Sequence, residues 1–258
     1  MTNRDDGMAL QALLFDVDGT LAETEEVHRQ AFNEAFRAFG LDWVWDRALY
    51  GELLKVTGGR ERMRHYAQSR ELAIAADPEF PHLVGRIHQH KTRLYGEILA
   101  GGEVSLNPGV ARLLGDAREA GLRLAIATTT TPENVEALLA PTLGTDAMGW
   151  FDAIGAGDCV PEKKPAPDIY DWVMRELALP PQSCIAFEDS ANGVRSSRAA
   201  ELPVLVTPGL YTRDDDFAGA TAVISHLGEP GLPFDVLAGE LPDGRYVDVD
   251  WLQRLVGR

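Results

Sequence analysis

The chain has 258 residues, of which 45% are apolar and 25% charged, and its formal net charge is −16. These values are typical of a globular protein, and the length suits one large domain or a medium domain with a smaller one attached. The negative charge argues against nucleic acid or an anionic membrane surface as a partner. No apolar run approaches the roughly 20 residues that cross a bilayer, so we expect no membrane-spanning segment.

The N-terminal segment and the cysteines favour a cytoplasmic protein. The first ten residues are polar and lack the apolar core of a secretory signal. The two cysteines, Cys159 and Cys184, lie in apolar surroundings. We therefore predict two reduced core thiols rather than a disulfide. We also expect the protein to be a monomer.

Short apolar runs along the chain predict five buried parallel strands with helices between them. The strands are predicted at Ala12–Phe15, Leu122–Ala127, Ala153–Ala156, Cys184–Phe187 and Val204–Val206. Helical patterns fall at Gly109–Ala120, Pro132–Leu139, Ile169–Leu177 and Gly193–Ala200. This alternation predicts an α/β fold with a doubly wound, Rossmann-like parallel sheet.

The interval between the first strand and Gly109 has helical periodicity and no strand pattern. Thr24 is predicted to cap its first helix, with Glu25 and Glu26 in the first turn and Gly40 as the stop. Further helices are predicted at Arg47–Leu54, Arg60–Ser69 and Phe80–Leu99. We predict a helical cap, residues 23–103, inserted into an α/β core of residues 9–22 and 104–258.

The predicted cap contains a basic stretch, Lys55–Tyr95, with eight Lys/Arg, four Asp/Glu and four of the six histidines. This local charge favours a site for a small anion, and a solvated helical face is the alternative. The tail from Glu229 to Arg258 is rich in Gly and Pro and becomes apolar at Val247–Val256. The tail predicts a final strand or helix on the core, and we assign it no chemistry.

Two acids, Asp16 and Asp18, leave the first strand together. Side chains two positions apart in an extended chain point to the same side, so both carboxylates can face one crevice at the carboxyl end of the strand. Two carboxylate charges in one crevice are unfavourable unless a positive charge neutralises them, and a hard divalent cation such as Mg²⁺ would do so. Gly19 permits a sharp turn, and Thr20 can add a donor. The alternatives are an EF-hand loop, whose glycine would stand sixth rather than fourth, and a structural Asx turn.

Three later segments follow predicted strands or precede helices, where they would meet these acids. The segments are Thr128–Thr131, Lys163–Asp168 and Glu188–Asp189. Hydroxyl and amide groups of the first can hold phosphate oxygens, a lysine of the second can neutralise them, and the acids of the third are natural metal ligands. Taken singly they could be a turn, an exposed lysine and helix-capping acids. Their occurrence together favours one site.

These motifs, in this order, resemble those of the haloacid dehalogenase superfamily of phosphohydrolases. The resemblance implies that Asp16 is the nucleophile and Asp18 the acid/base. It implies that Thr128 and Lys164 bind the phosphoryl group, and that Asp16, Asp189 and the Asp18 backbone carbonyl hold Mg²⁺ with Glu188 close by. True dehalogenases lack the second aspartate, so Asp18 argues against that reaction.

The cap segments are similar to those of CbbY-type phosphatases, a subfamily of that superfamily. This similarity implies xylulose 1,5-bisphosphate as the substrate, a misfire product and inhibitor of the carbon-fixing enzyme Rubisco. Arg60 stands where this subfamily is expected to have lysine. The residues that match the substrate contacts of the subfamily are Glu25, His28, Tyr50, Gly58, Gly59, Arg60, Glu61, Arg62, His88, Lys91, Thr128, Thr129, Thr130 and Asn134.

The resemblance implies two in-line displacements, through an aspartyl phosphate on Asp16, with Arg60, Arg62 or Lys91 on the distal phosphate. The first rival is a sugar phosphomutase of the β-phosphoglucomutase type. Such mutases carry a lysine soon after the Ser/Thr of the second strand, where this chain has Thr131 and Pro132. The second rival is an inactive phosphate-binding regulatory protein, which the complete set of motif residues argues against.

Overall fold

A computed structural model describes residues 10–102 and 104–257, so residue 9, residue 103 and residue 258 of the predicted domain ranges lie outside the described residues. A seven-stranded sheet forms the centre, in the order β3-β2-β1-β4-β5-β6-β7. The strands are β1 (Ala12–Phe15), β2 (Arg123–Ala127), β3 (Ala153–Gly155), β4 (Cys184–Glu188), β5 (Val204–Val206), β6 (Ala222–Ile224) and β7 (Val236–Ala238). All neighbouring strands pair in parallel except β7, which is antiparallel to β6.

The nine α-helices of the described residues follow the predicted alternation closely. They are α1 (Glu25–Ala38), α2 (Arg47–Leu53), α3 (Gly59–Ser69), α4 (Phe80–Ala100), α5 (Val110–Glu119), α6 (Pro132–Leu143), α7 (Asp168–Leu177), α8 (Ala191–Ala199) and α9 (Val249–Val256). The predicted α/β fold with a Rossmann-like sheet is confirmed. Strands β6 and β7 were not predicted. β7 is exposed along its length, so it lacks the pattern of a buried strand, and β6 lies in a segment rich in turn residues.

Both faces of the sheet are buried, as a parallel sheet requires. In β1, Leu13 and Phe15 pack on one side with apolar residues of α5 and α9. Ala12 and Leu14 pack on the opposite side with apolar residues of α7 and α8. This arrangement brings the carboxyl ends of β1, β2 and β4 to one edge of the sheet, with β1 in the centre.

Helices α1 to α4 have a core of their own, separate from the two faces of the sheet. It consists largely of aromatic side chains, including Phe32, Phe36, Trp43, Trp45 and Tyr50. Trp45 is fully buried and contacts the edge of the Phe36 ring at a centroid distance of 4.7 Å. Because these four helices follow β1 directly, their core lies beside the carboxyl edge of the sheet.

The tail packs on the core, and its apolar segment forms α9, as expected of a final strand or helix. Trp251 of α9 is fully buried. Glu229 accepts hydrogen bonds from the Gly109 amide and from Arg112 Nε, both at 3.0 Å. The tail therefore fastens the start of α5, where the chain returns from the first four helices.

Both cysteines are free thiols, but only one is a core residue. Cys184 is buried in β4. Cys159 is exposed, so the prediction of a core thiol was wrong there. The reason is that β3 ends at Gly155, and Cys159 lies in the turns that follow it. Within residues 10–102 and 104–257, no helix combines the length and the apolarity needed to cross a bilayer.

Candidate active site

A cavity of about 690 Å³ lies between the carboxyl edge of the sheet and the helices that follow β1. From the sheet side it is lined by Asp16, Asp18, Thr128 and Lys164. Backbone hydrogen bonds fix these strand ends. The Asp16 amide donates to the Phe187 carbonyl at 3.0 Å, and the Thr128 amide donates to the Gly155 carbonyl at 2.9 Å. The predicted strand-end residues therefore meet at one site.

A buried ammonium group links two of the acids. Lys164 Nζ donates to Asp16 Oδ1 at 2.7 Å and to Glu188 Oε1 at 2.6 Å. Burial alone would lower the pKa of Lys164, but the charges of Asp16 and Glu188 raise it overall. Lys164 is therefore a permanent cation beside Asp16.

Three carboxylates crowd one corner of the cavity. Asp16, Glu188 and Asp189 each place an oxygen within 4.8 Å of the others. Burial raises the pKa of Asp16 to about 7, despite the opposing charge of Lys164. Burial, followed by the charges of Asp16 and Glu188, raises the pKa of Asp189 well above its usual value. The acids of this corner carry more negative charge than Lys164 balances.

The same corner fits a divalent cation. Glu188 Oε2 is buried and has no hydrogen-bond partner among residues 10–102 and 104–257. A Cβ at Gly19, whose φ is +85°, would collide with the Asp189 carboxylate, so the backbone approaches Asp189 as only glycine allows. An uncompensated cluster of carboxylate oxygens is the donor set that Mg²⁺ prefers. Asp16, Glu188 and Asp189 are therefore the residues suited to hold it, and the part of the Asp18 backbone carbonyl stays a prediction.

Asp18 is held by donors from α1 and its N-terminus. The Thr24 hydroxyl donates to Asp18 Oδ1 at 2.5 Å, and His28 Nε2 lies 2.9 Å from the same oxygen. Burial would raise the pKa of Asp18, but His28 and Thr24 hold it below its usual value. Thr24 does occupy the N-cap position of α1, yet it makes no side-chain capping bond. The predicted capping role was wrong, because the Thr24 side chain is turned toward Asp18 and its backbone is helical rather than extended.

Lys91 lines the cavity, but its ammonium group contacts the His28 ring. Its Nζ contacts His28 Nδ1 and lies 4.9 Å and 5.0 Å from the centroids of the Phe32 and Tyr95 rings. Burial lowers the pKa of Lys91 to about 7, although the charge of Asp18 opposes this. Lys91 thus supports the donor side of Asp18 through His28.

The threonine run after β2 forms a polar wall beside Asp16. The Thr130 amide donates to the Thr128 hydroxyl at 3.3 Å, and Asn134 Nδ2 donates to the Thr130 hydroxyl at 2.9 Å. Thr129 also lines the cavity. Thr131 instead caps α6 by accepting from the Asn134 amide at 3.4 Å. The N-terminus of α6 and these hydroxyls form a cradle suited to phosphate oxygens.

A second group of donors lines the cavity from the helices that follow β1. Gly58 and Gly59 line the cavity at the N-terminus of α3, beside His88. Arg62 is buried, and it donates to the Leu53 carbonyl and to the Tyr50 hydroxyl, both at 3.2 Å. Because both partners are uncharged, the guanidinium charge of Arg62 remains available to an anion in the cavity.

Three predicted substrate contacts lie outside the cavity lining. Tyr50 is fully buried, and its hydroxyl donates to Glu25 at 2.7 Å. Arg60 pairs with Asp158 at 2.9 Å, and Glu61 pairs with Lys163 at 3.3 Å. Asp158 and Lys163 belong to the segment after β3, so Arg60 and Glu61 join the cap side to the core side.

The remaining predicted residues line the cavity, except Glu188, which is buried beside Lys164. Those that line the cavity are Asp16, Asp18, Glu25, His28, Gly58, Gly59, Arg62, His88, Lys91, Thr128, Thr129, Thr130, Asn134, Lys164 and Asp189. Two contacts were not predicted: Thr212 donates to Asp189 Oδ2 at 3.1 Å, and the Tyr170 hydroxyl donates to Glu188 Oε1. A threonine in a distant loop and a tyrosine on an apolar helix carry no local signal of such a role.

Comparison with known proteins places this arrangement in a family. A family model described as haloacid dehalogenase-like hydrolase matches residues 10–201. The chain belongs to the haloacid dehalogenase-like hydrolase family. The predictions of this superfamily and of a phosphoric monoester hydrolase are thereby confirmed, and the predicted alternative of an inactive regulatory protein has no support.

Within this hydrolase family, the chain is similar to CbbY proteins. It is 50% identical over 222 residues to CbbY of Cereibacter sphaeroides, covering 86% of this chain and 94% of that protein. It is 54% identical over 213 residues to CbbY of Rhodobacter capsulatus, covering 83% and 92%. The predicted resemblance to CbbY-type proteins is confirmed.

Solved structures of CbbY also match this chain. CbbY from Rhodobacter sphaeroides in complex with phosphate matches with a TM-score of 0.80 and 49% identity, covering 86% of this chain and 96% of that one. A mutant of the same protein in complex with xylulose-(1,5)bisphosphate matches with a TM-score of 0.81 and 49% identity over the same shares. A β-phosphoglucomutase from Clostridium difficile has a TM-score of 0.69 at 20% identity and shares the fold.

Proposed function

We propose that this hydrolase is a magnesium-dependent phosphatase that acts on a sugar bisphosphate, with xylulose 1,5-bisphosphate as its substrate. One observation carries the proposal: a single cavity has two separate groups of phosphate-binding donors. Lys164 and the wall of Thr128–Thr130 line it from the strand ends, and Arg62 with the α3 N-terminus lines it from the helices that follow β1. A bisphosphate brings roughly four negative charges, about two for each phosphate near neutral pH.

Asp16 is the proposed nucleophile. A carboxylate oxygen of Asp16 attacks phosphorus, the bond from phosphorus to the sugar oxygen breaks, and an aspartyl phosphate forms on Asp16. Lys164 balances charge on the phosphoryl oxygens, and the Thr128 hydroxyl orients them. Bound Mg²⁺ would supply further charge neutralisation for the phosphoryl oxygens and for the three acids that hold it.

Asp18 is the proposed acid and base. Thr24 and His28 favour its ionised form in the free site, and a nearby phosphate dianion raises the proton affinity of the carboxylate. Asp18 protonates the departing sugar oxygen, and the sugar leaves with that proton. Asp18 then takes a proton from water, whose oxygen attacks phosphorus and releases Asp16 and inorganic phosphate.

The distal phosphate is proposed to bind at Arg62, the α3 N-terminus and His88. Burial lowers the pKa of His88 to about 3, with help from the charge of Lys91. A neutral imidazole can donate one hydrogen bond and accept another, as contact with a phosphate and a sugar hydroxyl would require. Arg60 and Lys91, which the sequence also suggests for this phosphate, have other partners here, so Arg62 is the proposed anchor.

The helices that follow β1 are proposed to act as a cap, residues 23–103, over a core of residues 9–22 and 104–258. Their own aromatic core lets them move as a unit, and closure excludes bulk water from Asp16. Tyr50 and Glu61 support the closed arrangement in this proposal, whereas Glu25 faces the cavity and is placed to bind sugar hydroxyls.

The choice of xylulose 1,5-bisphosphate draws support from the complex of the Rhodobacter sphaeroides CbbY mutant with that sugar, at 49% identity to this chain. Removal of this Rubisco misfire product is the corresponding proposed role, in the cytoplasm and as a monomer.

The test is phosphate release from a panel of ketose bisphosphates and sugar monophosphates, with Mg²⁺ and with EDTA. We expect one phosphate per xylulose 1,5-bisphosphate, a kcat/KM at least tenfold above that for each monophosphate, and no turnover in EDTA. Interconversion of sugar monophosphates without phosphate release would instead identify a mutase and overturn the proposal.

A further inference from the structure

Tyr170 reaches the acids of the metal corner although it does not line the cavity. It lies in α7 and is fully buried. Its hydroxyl donates to Glu188 Oε1, the oxygen that also accepts from Lys164 at 2.6 Å. The Lys164 ammonium lies 5.3 Å from the centroid of the Tyr170 ring. The tyrosine thus contacts both members of the Glu188–Lys164 pair.

Packing alone does not account for a tyrosine at this position. Phenylalanine would fill the same space, and a buried hydroxyl costs free energy unless it is hydrogen-bonded. Burial and the charge of Glu188 raise the pKa of Tyr170 well above its usual value, so its hydroxyl keeps its proton and acts as a donor. The hydroxyl therefore has a defined direction, toward one oxygen of Glu188.

Two donors on one oxygen fix the rotation of the Glu188 carboxylate. Oε1 accepts hydrogen bonds from Tyr170 and Lys164, whereas Oε2 is buried and has no hydrogen-bond partner in the part of the chain that the structure describes. With Lys164 as the only donor, the carboxylate could rotate so that the ammonium contacts both oxygens. Lys164 would then move from Asp16 toward Glu188, and Oε2 would no longer be free.

We propose that Tyr170 is a positioning residue that reserves Glu188 Oε2 for the divalent cation and keeps Lys164 shared between Asp16 and Glu188. The inference rests on the proposed metal site. Hydrogen-bond partners behind a metal ligand typically contribute roughly 10–100-fold to metal affinity. We therefore expect Tyr170→Phe to weaken Mg²⁺ binding by about tenfold.

The experiment is calorimetric titration of the metal-free protein with Mg²⁺, without substrate. It compares wild type, Y170F, E188Q and the double variant, each shown to be folded by its melting curve in EDTA. Tyr246→Phe is the matched control, because it removes a tyrosine hydroxyl in the tail, beside Arg112. If Tyr170 acts through Glu188, Y170F weakens binding in the wild-type background and has no further effect in the E188Q background.

A kinetic measurement separates positioning from a structural role. We expect the kcat of Y170F to be reduced at limiting Mg²⁺ and restored by excess Mg²⁺, with the substrate KM unchanged. An Mg²⁺ affinity of Y170F within twofold of wild type, or equal losses in both backgrounds, overturns the inference while the proposed function stands. A wild type that binds no Mg²⁺ overturns both.

Discussion

The crowding of Asp16, Glu188 and Asp189 makes a prediction about stability as well as activity. Asp16→Asn removes the nucleophile, so phosphate release falls below detection. The same change removes one buried negative charge. We therefore expect the metal-free variant to be more stable than wild type at pH 8, although it is inactive.

The magnitude follows from the rise of the Asp16 pKa from 3.8 to about 7. At about 1.4 kcal/mol per pKa unit, ionising this buried carboxyl costs the folded state at most roughly 4–5 kcal/mol. The raised pKa stabilises the protonated form, so wild type loses this stability as pH rises from about 4 through about 7. The advantage of Asp16→Asn is therefore present at pH 8 and vanishes near pH 4.

The assay is thermal unfolding in EDTA and in saturating Mg²⁺, at several pH values, with exposed Asp42 changed to Asn as a control. For a chain of this size, 1 kcal/mol corresponds to a shift of roughly 2–4 °C in Tm. In saturating Mg²⁺ the order of the two Tm values should reverse, because wild type keeps all its metal ligands whereas Asp16→Asn has lost one. A lower Tm for Asp16→Asn in EDTA at pH 8, or measurable hydrolysis, would refute the reasoning.

Three further predictions concern single contacts. Arg62→Ala should raise the KM for the bisphosphate at least tenfold and leave kcat/KM for a monophosphate within twofold; an equal loss for both would contradict a distal phosphate site. Thr24→Val should lower kcat about tenfold, the equivalent of one hydrogen bond to the charged Asp18, whereas Thr24→Ser should retain activity; equal rates for the two variants would contradict this. Glu229→Ala should cost about 1 kcal/mol of stability, read as a lower Tm, without changing kcat, since it deprives the Gly109 amide and Arg112 of a partner; an unchanged Tm would show that the tail contact is dispensable.

Local pattern was sufficient for the strands that build the sheet centre and for the acids at their ends. Asp16 and Asp189 are recognisable because an apolar run stops at a carboxylate, and that transition is visible within a few residues. The same rule fails at β6, which is followed by Ser225 rather than by a carboxylate, and at β7, which is exposed along its length.

Contacts between distant segments were beyond the reach of local pattern. Thr24 has the sequence context of a helix cap, and only the fold shows that its side chain is turned toward Asp18. Tyr170 has the periodicity of a core residue, which it is, and its hydrogen bond to Glu188 depends on how α7 crosses β4. Arg60 was expected to meet a phosphate, but its partner is Asp158, which lies far away along the chain.

The ion pairs that join the helices after β1 to the segment after β3 have a consequence for turnover. Arg60, Asp158, Glu61 and Lys163 are linked beside the cavity; Asp158 is exposed and Glu61 is half-buried. Exposed pairs are screened by salt over a Debye length of about 8 Å at physiological ionic strength. Added salt therefore loosens the rim while the buried Lys164–Asp16 pair is little affected. On the proposed cap movement, we therefore expect ionic strength to change how fast the cavity opens, separately from the chemistry inside it.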